Sequence, residues 1–221
     1  MLTRLLLCLC LIALVSQAKA GAWPRQKGSG FASVSVQLSW PQNIQHWIDT
    51  QPTDQYRTAY LEYGLTDKLT IGLDIGNSVS GASKSIAFLQ YPIRNREKGP
   101  KIAFQLGIGQ ISGERVVRPG LSLGWGLKKG WLSMDSFMET RTGDGVSDYK
   151  LDITWGRNLA RDRKLLLQLQ TGIQHGDPAF ARFAPSLVTP LGKRLKMETG
   201  ATWGLTGDSS MGVKFGLWTD F

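Results

Sequence analysis

The sequence predicts an all-β protein, a closed antiparallel transmembrane β-barrel of about twelve strands, with ten as the alternative. Three observations carry this. Apolar and polar residues alternate with a period of two through most of the chain after residue 30. The alternating segments run about 10–11 residues, enough to cross a bilayer at a tilt, against about 5–6 for an ordinary soluble strand. Aromatic residues on the apolar face gather at strand ends, where a membrane interface holds them.

The alternation is explicit. Ala32, Val34, Val36, Leu38 and Trp40 interleave with Ser33, Ser35, Gln37 and Ser39. Leu69, Ile71, Leu73 and Ile75 interleave with Thr70, Gly72 and Asp74, and Tyr149, Leu151, Ile153 and Trp155 with Lys150, Asp152 and Thr154. Strict alternation gives a strand one apolar and one polar face. A soluble sandwich alternates too, with its apolar face inward. Here the polar face is rich in glycine and small residues, which suits a crowded barrel interior better than a solvated exterior.

Candidate strands lie near 30–40, 55–65, 68–77, 84–93, 101–111, 118–128, 131–141, 147–157, 164–175, 182–191, 194–204 and 211–221. Three are irregular. Residues 84–93 place Ile86 and Phe88 on the nominally inward face, and 131–141 place Trp131 and Phe137 there. Residues 182–191 contain Pro185 and Pro190, and proline removes a ladder donor. These three leave ten strands as the alternative.

If the chain starts in the periplasm, Tyr63, Tyr91, Trp125, Trp155 and Phe221 fall at the periplasmic level. Trp40, Tyr149, Phe183 and Trp203 fall at the opposite level. They read as two aromatic girdles. The periplasmic turns hold Lys68, Arg94, Arg96, Lys98, Lys101, Lys128, Lys129, Arg157, Arg161, Arg163, Lys164, Lys193 and Arg194 against Asp67, Glu97 and Asp162. This basic rim suits inner-leaflet phospholipid or an acidic periplasmic partner.

The first twenty residues read as a secretory signal. Arg4 opens it, Leu5–Val15 is apolar but for two cysteines, and Ala18-Lys19-Ala20 is a small-x-small cleavage site. The expected organisation is a cleaved signal over 1–20, a periplasmic tail over 21–29 and a barrel over 30–221. Both cysteines, Cys8 and Cys10, leave with the signal, which excludes disulfide scaffolds and cysteine-ligated metals. The formal charge of +9 falls to +7 once Arg4 and Lys19 are removed. An exported chain argues against nucleic acid as the partner of that charge.

At the carboxyl end, Met211, Val213, Phe215, Leu217, Thr219 and Phe221 alternate to the last residue. An aromatic terminal residue with Lys214 and Gly216 upstream resembles the signal by which bacterial outer-membrane β-barrels engage their assembly machinery. Thr219 departs from that pattern, which prefers a bulky apolar residue there. Residues 60–76, Tyr-Leu-Glu-Tyr-Gly-Leu-Thr-Asp-Lys-Leu-Thr-Ile-Gly-Leu-Asp-Ile-Gly, are similar to a strand–turn–strand unit of the same class. The resemblance implies a bacterial outer-membrane location. It also implies lipid and lipopolysaccharide as surroundings and the barrel assembly machinery as a partner during biogenesis.

Catalytic constellations are faint. Outer-membrane phospholipases carry a histidine two residues before a nucleophilic serine, and neither His46 nor His175 has one. His175 and Asp177 echo the rim couple of omptin-type proteases without the acidic pair, and read as a polar Gly-Asp-Pro turn. Asp144 and Asp148 share a loop but read as an ordinary turn. The sequence calls for no enzyme, no metal and no cofactor.

The polar face is the better functional surface. Glu62, Asp74, Asp135, Glu139, Lys150, Asp152, Lys196, Glu198 and Lys214 are expected to line the lumen. Buried membrane charges must be paired or wet. The inward glycines argue for open space, and twelve strands lie between a filled eight and an open sixteen. The expected function is a narrow passive or weakly selective pore for small hydrophilic solutes. A closed structural or partner-docking barrel is second, and an outer-membrane hydrolase third. In loop 41–54, Ile44, Trp47 and Ile48 have helical spacing, as a constriction in the mouth or a helix on the rim.

Overall fold

The computed structural model describes residues 21–221 except Ile48 and Glu97, and not the side chain of His46. The signal segment 1–20 lies outside the described residues.

Alternation becomes twelve strands: β1 (Gly30–Pro41), β2 (Asp54–Gly64), β3 (Thr70–Ser78), β4 (Ser83–Arg94), β5 (Lys101–Ile111) and β6 (Glu114–Leu127). They continue as β7 (Gly130–Arg141), β8 (Ser147–Asn158), β9 (Lys164–Ile173), β10 (Phe180–Pro190), β11 (Leu195–Thr206) and β12 (Ser210–Asp220). Each pairs antiparallel with its sequence neighbours, and β1 closes on β12 with Phe31 opposite Asp220 and Pro41 opposite Ser210. Closure leaves no sheet edge for lipid to contact. Twelve therefore replaces ten. The irregular β4, β7 and β10 are all full members.

Most expected bounds shift by one to three residues. The exception is β6, which begins four residues before its expected start. Pro119 marks an apparent boundary, but Ser112 and Gly113 both adopt positive φ, 48° and 87°. That is the two-residue hairpin geometry, so β5 passes directly into β6. Pro119 is accommodated because Arg118 and Pro119 fall in a break in the β6–β7 pairing, between Val117↔Thr140 and Gly120↔Phe137.

The two faces separate cleanly. Leu61 and Tyr63 are exposed on the outside of β2, while Glu62 between them is 4% exposed. Three of the inward glycines do not leave open space, while Gly126 does. Gly72, Gly120 and Gly156 sit in register with Phe88, Phe137 and Trp131. A Cβ on any of the three would run into that partner's ring. The glycines are thus the hollows into which inward aromatics fold. This explains how β4 and β7 carry large apolar groups on the polar face.

Of residues 21–29, expected as a periplasmic tail, the first five fold back inside the end of the barrel that holds both termini, while Gln26, Lys27 and Gly28 are exposed. Ala22, Pro24 and Arg25 are buried there. Trp23 packs against the inward cluster of Trp131, Leu166 and Val188, joined by Trp218. Arg25 Nε lies 2.7 Å from Glu62 Oε2, and its guanidinium is 4.8 Å from the Phe31 ring centroid. The backbone N–H of Arg25 donates to Thr70 Oγ1 at 3.1 Å. The physical reason is charge: Glu62 would otherwise be a buried carboxylate without a cation.

Candidate functional site

The inward face carries three groups of paired charges. The largest centres on Arg118 of β6, which is 2% exposed. Its Nη1 lies 2.6 Å from Asp74 Oδ2 on β3, three positions round the barrel, so the pair bridges strands that do not adjoin. Lys84 Nζ reaches the same oxygen at 2.8 Å. Arg118 also donates to Gln105 Oε1 at 3.2 Å and lies 3.8 Å from Glu139 Oε1. Its guanidinium is 4.8 Å from the Phe137 ring centroid, and Lys150 Nζ completes the chain 2.8 Å from Glu139 Oε2.

The second group centres on Glu198 of β11. It accepts from Ser186 Oγ at 2.8 Å, Lys214 Nζ at 3.0 Å and Trp218 Nε1 at 3.1 Å. The third closes the terminal end. Arg25 and Tyr60 hold Glu62, and Lys196 Nζ lies 3.4 Å from Asp162 and 3.8 Å from Asp220. Two sequence-named carboxylates stand apart from these groups. Asp135 and Asp152 face each other in register on β7 and β8, and neither has an ion pair among the described residues.

All nine charges named from the sequence thus fall on the face that also carries Arg118 and the inward rings. Three basic members were missed. Lys84 and Arg118 share the inward parity of their strands, and that signal was in the sequence; the intruding Ile86 and Pro119 obscured it. Arg25 precedes the first strand, and no periodicity marks it. Lys164, counted from the sequence as a rim residue, is 2% exposed and lies 3.3 Å from Asn158 Oδ1.

The girdle aromatics sit near strand ends. Tyr63, Tyr91 and Phe221 are exposed at the terminal end, with Trp125 and Trp155 partly exposed; Tyr149, Phe183 and Trp203 are exposed at the distal end. Of the carboxyl-terminal motif residues, Lys214 turns inward to Glu198. Gly216 opposes Ser35, and the Phe221 carbonyl accepts from Gly30 N at 2.6 Å across the closing seam.

Loop 41–54 holds one 3₁₀ turn, Ile44–His46, rather than a longer helix. Trp47 stacks on the girdle residue Trp40 with centroids 6.2 Å apart, and its Nε1 donates to the Pro41 carbonyl at 2.9 Å. The loop therefore leans on the rim. His175 lies in a turn, and its backbone N–H donates to Asp148 Oδ1 at 2.8 Å. Asp144 accepts from Val146 N at 3.0 Å, so the two loop carboxylates serve separate turns.

The distal turn between β11 and β12 has its own ion pair, Arg182 Nε to Asp208 Oδ2 at 2.6 Å. Burial pushes the Asp208 carboxyl up. Hydrogen bonds from Ser210 and the Arg182 guanidinium outweigh that and hold it below the usual carboxylate range. A carboxyl lowered in the folded state stabilises above the unfolded value near ~3.9 and loses that contribution as pH falls through its folded value. We expect the Ser210 amide, which donates to Asp208 Oδ1, to exchange faster below about pH 4, and Asp208→Asn to abolish that pH dependence. Amide hydrogen exchange across pH 3–6 checks this; a flat wild-type profile would refute it.

No family model and no curated protein sequence matches the chain. Solved structures do. The KdgM porin superposes with a TM-score of 0.65 at 9% identity, covering 86% of this chain and 99% of that one. The NanC porin gives 0.66 at 9% identity over 85% of this chain and 98% of that one. An active-site mutant of the outer membrane phospholipase A from Escherichia coli gives 0.51 at 11% identity, over 89% and 91%. The chain thus has the closed antiparallel fold of bacterial outer-membrane β-barrels. Within that class it shares its architecture with porins. A barrel of this kind hosts channels and a lipase alike, so function rests on the lumen.

Proposed function

We propose that the barrel is a narrow, weakly selective pore for small hydrophilic solutes, constricted at its terminal end by residues 21–25. The observation that carries this reading is an inward face furnished with charges of both signs, from Glu62 and Arg25 at one end to Glu139 and Lys150 near the other. Balanced charge favours weak selectivity. The shared porin architecture supports a channel. Lys150 is the accessible member of its pair, with 31% of its side chain exposed against 2% for Glu139.

The test is planar-bilayer conductance of the refolded chain beginning at Gly21, beside Lys150→Glu and Lys196→Glu. Stepwise currents are expected, with cation preference rising about two- to threefold in Lys150→Glu, the effect of a charge reversal worth roughly 0.5 kcal/mol in a wet lumen. A folded, heat-modifiable barrel without current would overturn the pore. It would favour the second reading, a closed structural element, to which the Arg118–Asp74 pair gives weight. In either case the basic rim remains a surface suited to inner-leaflet phospholipid or an acidic partner.

A further inference from the structure

The Asp135–Asp152 pair poses a question of its own. Two facing carboxylates inside a barrel repel unless a cation sits with them, and the other central acids have theirs. Asp135 Oδ1 is buried and makes no hydrogen bond, and the hydroxyl of the wholly buried Ser133, two residues along the same face, makes none either. The Ser122 and Ser133 hydroxyls stand beside the Asp135 carboxylate, but no described side chain supplies a cation to it or to Asp152.

What does lie against them is the first residue of the tail. A Cβ built on Gly21 would collide with Asp135 Oδ1 and come within 2.8 Å of Ser122 Oγ. A side chain at this position would push the Asp135 carboxylate and the Ser122 hydroxyl aside. The rest of the tail fixes the approach: Ala22 and Trp23 lie over Gly124, and Arg25 is anchored on Glu62. The nitrogen of Gly21 is one bond from the Cα whose added Cβ would meet Asp135, so it lies in the neighbourhood of that carboxylate. It becomes a cation if the chain is cut at the small-x-small site ending in Ala20. Water adds across that amide, leaving a carboxylate on Ala20 and an ammonium on Gly21.

We propose that the α-ammonium of Gly21 is the cation of the Asp135–Asp152 site, so that the mature amino terminus is bound inside its own barrel. The site is matched by a chain that starts at this position, and glycine there leaves the Asp135 carboxylate undisturbed. An uncut or differently cut chain presents a neutral amide or a displaced charge and leaves the acids unmatched. The inference rests on cleavage after Ala20 and is independent of whether the lumen conducts.

The experiment uses protein extracted from its native membrane, with the terminal residue identified by mass. Acylation of the α-amine at neutral pH is followed by mass spectrometry of the terminal peptide. In the folded wild type this amine is expected to react at least about tenfold more slowly than in the denatured chain, as a group that must first open from a buried site does. Asp135→Asn, near in size and uncharged, should recover most of the reactivity while still migrating as a folded barrel. Should that variant not fold, a chain refolded with one alanine ahead of Gly21 serves instead, and its displaced amine should react at the denatured rate. A wild-type amine that reacts freely, a terminus other than Gly21, or protection unchanged by both alterations would each overturn the proposal. A protected amine on a barrel that carries no current would leave it standing and remove the pore alone.

Discussion

Replacing Arg118 with methionine is expected to destabilise the barrel by about 3–5 kcal/mol, the cost of removing one partner from a buried ionic network. Three acceptors depend on this side chain. Asp74 retains Lys84 and Glu139 retains Lys150, but Gln105 loses its donor, and the Phe137 face loses its cation. Arg118 is itself almost fully enclosed, so water does not substitute readily for the missing guanidinium. The measurement is the urea unfolding midpoint in lipid vesicles, followed by gel mobility and tryptophan fluorescence. Arg118→Lys should restore only part of the loss, because an ammonium cannot serve Asp74 and Gln105 with a planar fork or stack on Phe137 in the same way. Arg118→Met with Asp74→Asn should be less damaged than the two single losses added together, since each single variant already removes the Arg118–Asp74 contact. A loss below about 1 kcal/mol in the single variant would mean that the network is hydrated and contributes little.

The value placed on Arg118 marks what the sequence made visible. A period of two identified every strand, because an outward Leu61 and an inward Glu62 obey different solvents and the register follows from that difference alone. The same parity named Glu62, Asp74, Asp135, Glu139, Lys150, Asp152, Lys196, Glu198 and Lys214. Parity says which face a side chain takes and nothing about what it meets inside the lumen. The Arg118–Asp74 pair joins strands β6 and β3, and that juxtaposition depends on closure and shear, which a one-dimensional pattern does not contain. The inward glycines were misleading for a related reason. A glycine read alone suggests space; a glycine read with its register partner Phe88, Phe137 or Trp131 is a hollow already filled. The tail was hidden for the opposite reason. Gly-Ala-Trp-Pro-Arg has no period at all, and its place is set by a single arginine finding Glu62 and a tryptophan finding Trp131.

Starting the chain at Ser29, without the tail, is expected to raise single-channel conductance about twofold or more, since the narrowest segment of a pore sets its current. The terminal end of the lumen holds the tail. Trp23 packs into the Trp131, Leu166 and Val188 cluster, and Arg25 spans from Glu62 toward Asp220. Removing the tail takes away that ring and that guanidinium together. It also leaves Glu62 buried beside Tyr60 without its arginine, so unfolding in urea should occur earlier by roughly 3 kcal/mol. Adding Glu62→Gln to the truncated chain should recover part of that loss and leave the conductance gain untouched. Trp23→Ala in the full mature chain isolates the steric part, and its conductance should lie between the two. The four chains together separate plugging from charge pairing. A truncated barrel that folds and conducts as the full one does would place the constriction deeper, at the Arg118–Asp74 pair, and Arg118→Met would then be the variant that opens it.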